Sequence, residues 1–256
     1  MYYARRRLAV EICASNGIVF AGGNQQRARD EIQKVPRMLR AGEFGRIVGA
    51  AIHQWNNGEI SGGGYQHVSA LRLLTGAEVE EVVAWATPEE LLGSGNDDGL
   101  RVNGRFRMTT GVECSVFSEP NPYQGADVWT DDSLVRWNWG PPELYRGFEG
   151  DGTRKRLYHE YAPYDWNQSG YLTGSIRSFI AEIETRSELA VSGHDLRQTL
   201  EVAIAARESA KPGTVHIKLP MKDRSISLYP RPYRWSCGDV DGHTQPIAEA
   251  LVGPQL

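Results

Sequence analysis

The first pattern of apolar positions predicts a short helix followed by a buried strand. Across residues 5–15, apolar and small side chains recur at helical spacing, and the segment ends at Asn16-Gly17, a pair typical of a left-handed helix stop. The uninterrupted apolar run at 18–21 is typical of a strand covered on both faces. Together the two segments look like the last αβ unit of a parallel sheet.

The next part of the chain alternates between helix and strand patterns. Four elements are predicted in order: a helix over 28–40, a strand over 46–55, a helix after the glycine run at 62–64, and a strand over 79–86. The first of these helices contains Pro36, which indicates an irregularity. The second has its apolar side at Val68, Leu71 and Leu74 and stops at Gly76.

From residue 99 the pattern changes to period two, which predicts antiparallel strands. Val102, Phe106 and Met108 alternate with arginines, and the turn 109–111 leads into a second alternating segment, as in a hairpin. Further strands are predicted over 126–130 and 134–139. Residues 141–168 mix aromatics, glycines and prolines without a period, so they are interpreted as an ordered loop.

The last part predicts two helices, one strand and a tail. The first helix carries an amphipathic stripe formed by Leu172, Ile176, Phe179, Ile180 and Ile183. Ser192, with Asp195 three residues later, predicts the start of the second helix. Residues 215–219 predict a strand, and the segment after Pro220 is interpreted as an extended tail.

Composition narrows the class of protein. The chain has 28 Lys and Arg against 32 Asp and Glu, a net charge of −4, so nucleic acid is not an expected partner. Its apolar runs are far shorter than the ~20 residues of a membrane span, and Glu11 interrupts the only segment that resembles an export signal. Three cysteines without C-x-x-C spacing fit neither a disulfide framework nor a zinc site. A cytoplasmic protein without a metal site is expected.

Phosphate-binding loops cannot be identified in this sequence. Neither G-x-G-x-x-G nor G-x-x-x-x-G-K-[ST] occurs. The run Gly62-Gly63-Gly64 lacks the spacing of either motif, and it is interpreted as a hinge or a loop that another group approaches closely.

An ordered set of segments carries a resemblance to a known family. These segments are NQQR (24–27), LRAGEFGRI (39–47), GGGYQH (62–67), LLTG (73–76), NDD (96–98), SFIAEI (178–183), AARESA (205–210) and IKLP (217–220). Over about residues 8–220 the chain resembles the Gfo/Idh/MocA oxidoreductases, the relatives of glucose-fructose oxidoreductase and inositol dehydrogenase.

The resemblance implies an α+β fold with an open, mostly antiparallel sheet and helices on one face, plus one residual αβ unit of a Rossmann domain. The implied divisions are 1–25 for that residual unit, 26–220 for a substrate and oligomerisation domain, and 221–256 for the tail. The family's glycine fingerprint and Glu-Lys-Pro motif have no counterpart here. NAD or NADP is therefore expected in the complete family enzyme, with none bound by this chain alone.

His67 is the candidate catalytic residue that the resemblance implies. The family places a histidine at the start of this helix, where it takes the proton released as a hydride leaves the same carbon. The aspartate that the family often carries four residues earlier is Gly63 here. A structural histidine is the alternative. Because His67 projects about 100° from Val68 on the helix, its ring is expected in a cleft and not in the core.

Other candidate residues lie near His67 in the sequence or match the same family. The candidate substrate contacts are Tyr65, Gln66, Trp55, Asn56 and Trp166, with loop packing or capping as the alternative. Asn24 and Arg27 match a family segment that passes close to the nicotinamide and the substrate, and they are the candidate cofactor contacts. Their alternative role is to satisfy hydrogen bonds at the edge of a sheet.

The function implied by the resemblance is that of a substrate-binding and oligomerisation domain of an NAD(P)-dependent oxidoreductase. Its substrate would be a secondary alcohol of a sugar, cyclitol or related polyol, and the chain would be inactive alone. The alternative is a non-catalytic carbohydrate-binding or subunit-scaffold protein. A homo-oligomer is expected across the open sheet face, where Arg101, Arg105 and Arg107 are either solvated or paired with acidic residues of a second subunit.

Overall fold

The computed structural model of the chain describes residues 2–55, 60–61, 64–93, 99–119, 124–137, 142–148, 154–157, 171–186, 189–213, 215–223, 225–226 and 228. The helices in this part are α1 (Tyr2–Ser15), α2 (Asp30–Arg40), α3 (Tyr65–Thr75), α4 (Tyr171–Thr185) and α5 (Gly193–Ser209). Short 3₁₀ helices span Gln25–Ala28 and Glu89–Gly93. The strands are β1 (Ile47–His53), β2 (Val79–Thr87), β3 (Arg101–Met108), β4 (Glu113–Val116), β5 (Gly125–Thr130), β6 (Ser133–Trp137), β7 (Glu143–Phe148), β8 (Arg154–Leu157) and β9 (Ile217–Lys218).

All of these strands belong to one open sheet. Their order is β8-β7-β6-β5-β1-β4-β3-β2-β9. The β1–β4 pair is parallel, with Ala51 opposite Ser115, and the other described pairs are antiparallel. The expected α+β fold with an open, mostly antiparallel sheet is therefore confirmed.

Helices cover one face of the sheet and enclose the core. Helix α5 packs on β2, and α3 packs on β1 and β5 and also contacts α2 and α5. Inward side chains of the central strands, such as Ile52, Val82 and Phe106, are at most 1% exposed. On the opposite face, Trp85 and Phe117 remain about half exposed. One face of the sheet is thus buried, and the other carries aromatic groups at the surface.

Local signals in the sequence predict several element ends correctly. The Ser192 hydroxyl accepts a hydrogen bond from the Asp195 N–H at 3.0 Å, which caps the start of α5 as expected. Gly76 ends α3 with φ +66°, and Gly111 adopts φ +82° in the turn between β3 and β4. These positions need a left-handed backbone, which glycine adopts without a steric penalty.

Two predicted elements are wrong. Residues 18–21 do not form a strand; Ala21 makes only an isolated bridge with Ser192, because no neighbouring strand of a parallel sheet lies beside this segment in the described structure. Part of the predicted loop 141–168 forms strands β7 and β8, because β7 pairs with β6 and β8 pairs with β7, which satisfies their backbone groups.

Helix α4 has the predicted amphipathic stripe but does not bury it. Leu172, Ile176, Ile180 and Ile183 are each about half exposed. The stripe determines that this segment is helical, whereas its packing depends on what lies beside the helix.

Candidate functional site

His67 lies in the first turn of α3, in the interior of the protein. Its side chain is 1% exposed, so the expectation of a ring in an open cleft is wrong. The physical reason is the position of α3, which is enclosed by α2, α5, β1 and β5, so that every residue from His67 to Thr75 is buried. A helical stripe identifies the most apolar side of a helix, but it does not show that the other sides face water.

Burial controls the protonation of His67. Desolvation lowers the pKa of the imidazole from 6.5 to about 4, although interactions with the backbone of Gly64 and Trp55 oppose this shift. The charge of His53 lowers it slightly further. His67 is therefore neutral at physiological pH. A neutral imidazole can accept a proton, but a pKa this low makes it a weak base.

Asn24, Tyr65 and Gln66 lie close together at the start of α3. The Asn24 amide nitrogen donates to the Gln66 carbonyl oxygen at 3.2 Å, and its amide oxygen accepts from the Gln26 N–H at 3.1 Å. The Tyr65 hydroxyl donates to the Gly23 carbonyl oxygen at 3.0 Å. These bonds fasten residues 23–26 to the first turn of α3. Asn24 is 1% exposed, so its amide is used inside the protein.

Trp55 is a core residue. It is fully buried, and its ring meets Phe106 edge-on with centroids 5.3 Å apart. Its backbone N–H donates to the Phe117 carbonyl oxygen at 2.8 Å. The described structure therefore favours packing over sugar contact for Trp55. The other two candidate substrate contacts, Asn56 and Trp166, lie outside the described residues.

Arg27 belongs to a buried group of charges that the sequence analysis did not identify. Its guanidinium donates to the Asp195 carboxylate and to the Ser69 hydroxyl, the latter at 3.3 Å. Asp195 also accepts from Arg72 and, at 2.7 Å, from the Ser69 hydroxyl. Arg72 in turn makes two bonds to Glu78, at 2.7 and 2.6 Å. Two arginines and two carboxylates thus compensate each other, with Arg72 and Asp195 buried and Glu78 partly exposed.

The side chains of this group alter one another's pKa values. Burial alone would raise the pKa of Glu78, but hydrogen bonds from His194 and Arg72 lower it to about 2. Burial lowers the pKa of the Arg27 guanidinium, and the Asp195 carboxylate opposes that effect. The sequence contains a clue: Ser69 and Arg72 are polar residues three apart that lie among the apolar residues Val68, Leu71 and Leu74.

A dinucleotide does not fit the candidate cofactor contacts as they are arranged here. The polar groups of Asn24 are 1% exposed, and the Arg27 guanidinium is directed to Asp195 and Ser69. The polar groups of both side chains are therefore used in hydrogen bonds within the chain. Within the described ranges, no three His, Cys, Asp or Glu side chains are grouped to hold a metal ion. A helix long and apolar enough to cross a membrane is also not found there.

The arginines of β3 have partners in the same chain. Each forms an ion pair with at least one glutamate: Arg101 with Glu119, Arg105 with Glu113, and Arg107 with Glu80 and Glu81. The sequence predicts that these arginines are either solvated or paired with a second subunit; the structure instead pairs them within the chain. For Arg107 the antiparallel register explains the pairing, because Glu81 lies opposite it on the neighbouring strand β2.

The described fold is similar to that of several solved oxidoreductase structures. Among solved structures, the chain is similar to an aldose-aldose oxidoreductase from Caulobacter crescentus, solved with glycerol, with a TM-score of 0.62 and 16% identity over 85% of this chain and 69% of that one. It is also similar to an oxidoreductase from Agrobacterium radiobacter in complex with NAD⁺, L-tartaric acid and magnesium, with a TM-score of 0.59 and 16% identity over 84% and 69% of the two chains.

A third similar structure is the UDP-N-acetylglucosamine 3-dehydrogenase from Acidithiobacillus ferrooxidans, with a TM-score of 0.60 and 16% identity over 82% of this chain and 67% of that one. No family model and no curated protein matches the sequence. At these identities the similarity establishes the fold alone.

Proposed function

We propose that this chain is the substrate-binding and oligomerisation domain of an NAD(P)-dependent oxidoreductase that acts on a secondary alcohol of a sugar, cyclitol or related polyol. The observation that carries the proposal is the fold: 85% of this chain superimposes on the structure of an aldose-aldose oxidoreductase. Within it we assign residues 1–25 to the end of a dinucleotide-binding domain, 26–220 to the substrate domain and 221–256 to a tail.

His67 is the proposed proton acceptor of that domain. It stands at the start of α3, close to Tyr65 and Gln66, whose side chains are partly exposed. Because His67 itself is 1% exposed, a substrate hydroxyl reaches the ring only if the packing around this helix end opens. The low pKa of His67 follows from burial, so the same opening would also bring its pKa closer to neutral.

Binding of a polyol tests the substrate assignment. Calorimetric titration with myo-inositol, glucose and glycerol is expected to give one saturable site per chain for at least one of them. Gln66→Ala removes a partly exposed amide at the start of α3 and should weaken that site. Gln198→Ala, which removes an amide from α5, is the matched control and should not. Absence of binding for all three compounds, or equal effects of both substitutions, would contradict the assignment.

NAD⁺ or NADP⁺ is not expected to bind to the 256 residues alone. The sequence has no G-x-G-x-x-G turn to hold a pyrophosphate, and Asn24 and Arg27 make internal hydrogen bonds. Titration of the purified chain with either nucleotide should therefore show no micromolar complex. Reduction of the nicotinamide on adding a polyol would refute the claim that the chain is inactive alone.

Oligomerisation is proposed across the uncovered face of the sheet. Trp85, Phe117 and Trp129 are 51%, 48% and 38% exposed there, and exposed aromatic groups on one face favour coverage by a partner. Light scattering should give a multiple of the 28.5 kDa chain mass. Trp85→Lys should shift the distribution towards monomer, whereas Ile176→Lys on α4 should not.

A non-catalytic carbohydrate-binding or scaffold protein is the second candidate function. It is favoured by the burial of His67 and by the internal hydrogen bonds of Asn24 and Arg27. The nucleotide sequence before the Met1 codon separates the two functions. A continuous reading frame encoding a glycine fingerprint supports the oxidoreductase, whereas a nearby stop codon supports the non-catalytic protein.

A further inference from the structure

A polar cavity of about 940 Å³ lies between α2, the end of α3, α4 and the segment that leads into α5. It is distinct from the candidate site at His67. Gly76, which lines the cavity, lies at the opposite end of α3 from His67. Nine helical steps separate His67 from Gly76, which corresponds to about 13 Å along the helix axis at the standard rise. Five arginines and two carboxylates line it, which is an excess of three positive charges.

Acidic groups of the cavity are already compensated on its inner wall. Asp195 accepts hydrogen bonds from Arg27 and Arg72, and Glu78 accepts two from Arg72. The side chains of Arg72 and Asp195 are 7% and 3% exposed, so this pairing takes place away from solvent. The inner wall is therefore close to neutral, and the excess positive charge lies nearer the opening.

Three arginines form that opening: Arg37, Arg40 and Arg177. All three are exposed. Arg37 donates its Nε–H to the Gln33 carbonyl oxygen at 3.1 Å, and Arg40 donates to the Leu73 carbonyl oxygen at 2.8 Å. Within the described part of the chain, none of the three forms an ion pair with a carboxylate. Each guanidinium therefore keeps donors that can bind an anion.

The geometry points to this cavity as a binding site for a small molecule that carries a diphosphate or two phosphate groups, and we propose it as such. A guanidinium is planar and binds phosphate oxygens through two parallel hydrogen bonds. Three guanidiniums that form no ion pair within the described residues line one cavity and match several phosphate oxygens, whereas a neutral sugar would leave their charge uncompensated. The volume lies within the range of about 300–1,000 Å³ that is typical of small-molecule sites.

The oxidoreductase assignment is not needed for this proposal. The cavity shares no residue with the polyol site around His67, Tyr65 and Gln66. Of the two candidate cofactor contacts it includes only Arg27, whose guanidinium is bonded to Asp195 and Ser69. Its arginines also differ from the exposed arginines of β3, which are paired with glutamates on the sheet surface. The cavity is formed by helices on the other side of the sheet.

Calorimetric titration with pyrophosphate at physiological ionic strength tests the proposal. The full chain should bind one pyrophosphate with a saturable isotherm. Arg37→Gln and Arg177→Gln should each weaken binding about tenfold, or ~1.4 kcal/mol, because each removes a charged donor at the opening. Lys34→Gln is the matched control: it removes one positive charge from the exposed side of the same helix α2, outside the cavity lining, and should leave the affinity unchanged.

Two further arms distinguish the source of the phosphates. Tighter binding of ADP than of pyrophosphate identifies a nucleotide, and tighter binding of a sugar bisphosphate identifies a phosphorylated sugar. Circular dichroism should show that the surface substitutions preserve the fold. The proposal is overturned if pyrophosphate does not saturate, or if Lys34→Gln weakens binding as much as Arg37→Gln, since the attraction would then reflect overall charge.

Discussion

The burial of His67 makes the stability of the protein depend on pH in a defined direction. The imidazole is 1% exposed, and desolvation lowers its pKa from 6.5 to about 4. Below pH 6.5 the unfolded chain takes up a proton at His67 while the folded chain does not. Protonation therefore favours unfolding, and the loss of stability begins near pH 6.5 and is complete near pH 4.

The size of the effect follows from the two pKa values. With 6.5 in the unfolded chain and about 4 in the folded one, linkage gives a loss of about 2 kcal/mol in the free energy of unfolding as the pH falls from 7 to 5. Carboxylates contribute little over this interval. Glu78, for example, remains ionised in both states through most of it, since its pKa is 4.5 unfolded and about 2 folded.

Urea unfolding of the wild type and of His67→Gln at both pH values measures this contribution. Glutamine is polar but does not titrate, so the variant should lose about 2 kcal/mol less than the wild type between pH 7 and 5, whatever its stability at pH 7. His216→Gln is the control, because the His216 side chain is 67% exposed and its surface pair with Glu81 contributes little. Equal losses in wild type and His67→Gln would refute the reasoning.

Three other substitutions test the charge group and the sheet. Asp195→Asn removes the carboxylate between Arg27 and Arg72 and should destabilise the protein by roughly 3–5 kcal/mol in chemical denaturation; a loss below about 1 kcal/mol would contradict the network. Glu78→Gln should cost about 1–2 kcal/mol at pH 7, a value reduced because the Glu78 side chain is 40% exposed to screening solvent. The lowered pKa of Glu78 stabilises the fold above about pH 4.5, so this difference should vanish as the pH falls towards 2. Gly104→Ala would direct a methyl group against the Val83 carbonyl oxygen and should lower thermal stability by about 1–3 kcal/mol, whereas Gly93→Ala, with no heavy atom within 4 Å of the added carbon, should have little effect.

Elements that depend on local periodicity and local hydrogen bonds can be predicted from the sequence alone. Alternation of apolar and charged residues predicts β3, and the Ser192 cap predicts the start of α5; the structure contains both. The helical stripes of α3 and α4 were also visible. These features need only neighbours a few residues apart, so they can be identified without knowledge of the fold.

Whether a helix or strand faces solvent or other parts of the chain depends on the tertiary structure. The stripe of α4 is half exposed while α3 is buried on all sides, because partners from distant parts of the chain surround α3. The same enclosure places His67 in the interior and lowers its pKa. Strand β7 forms beside β6, and β8 forms beside β7.

The buried charge group shows most clearly which features depend on the tertiary structure. Arg27 and Arg72 both bind the buried carboxylate of Asp195, although Arg27 and Asp195 are 168 positions apart in the sequence. The cavity beside them likewise combines residues of four α-helices. A sequence shows which residues carry charge, but their pairing depends on packing between elements, since burial makes an uncompensated charge costly only after the chain has folded.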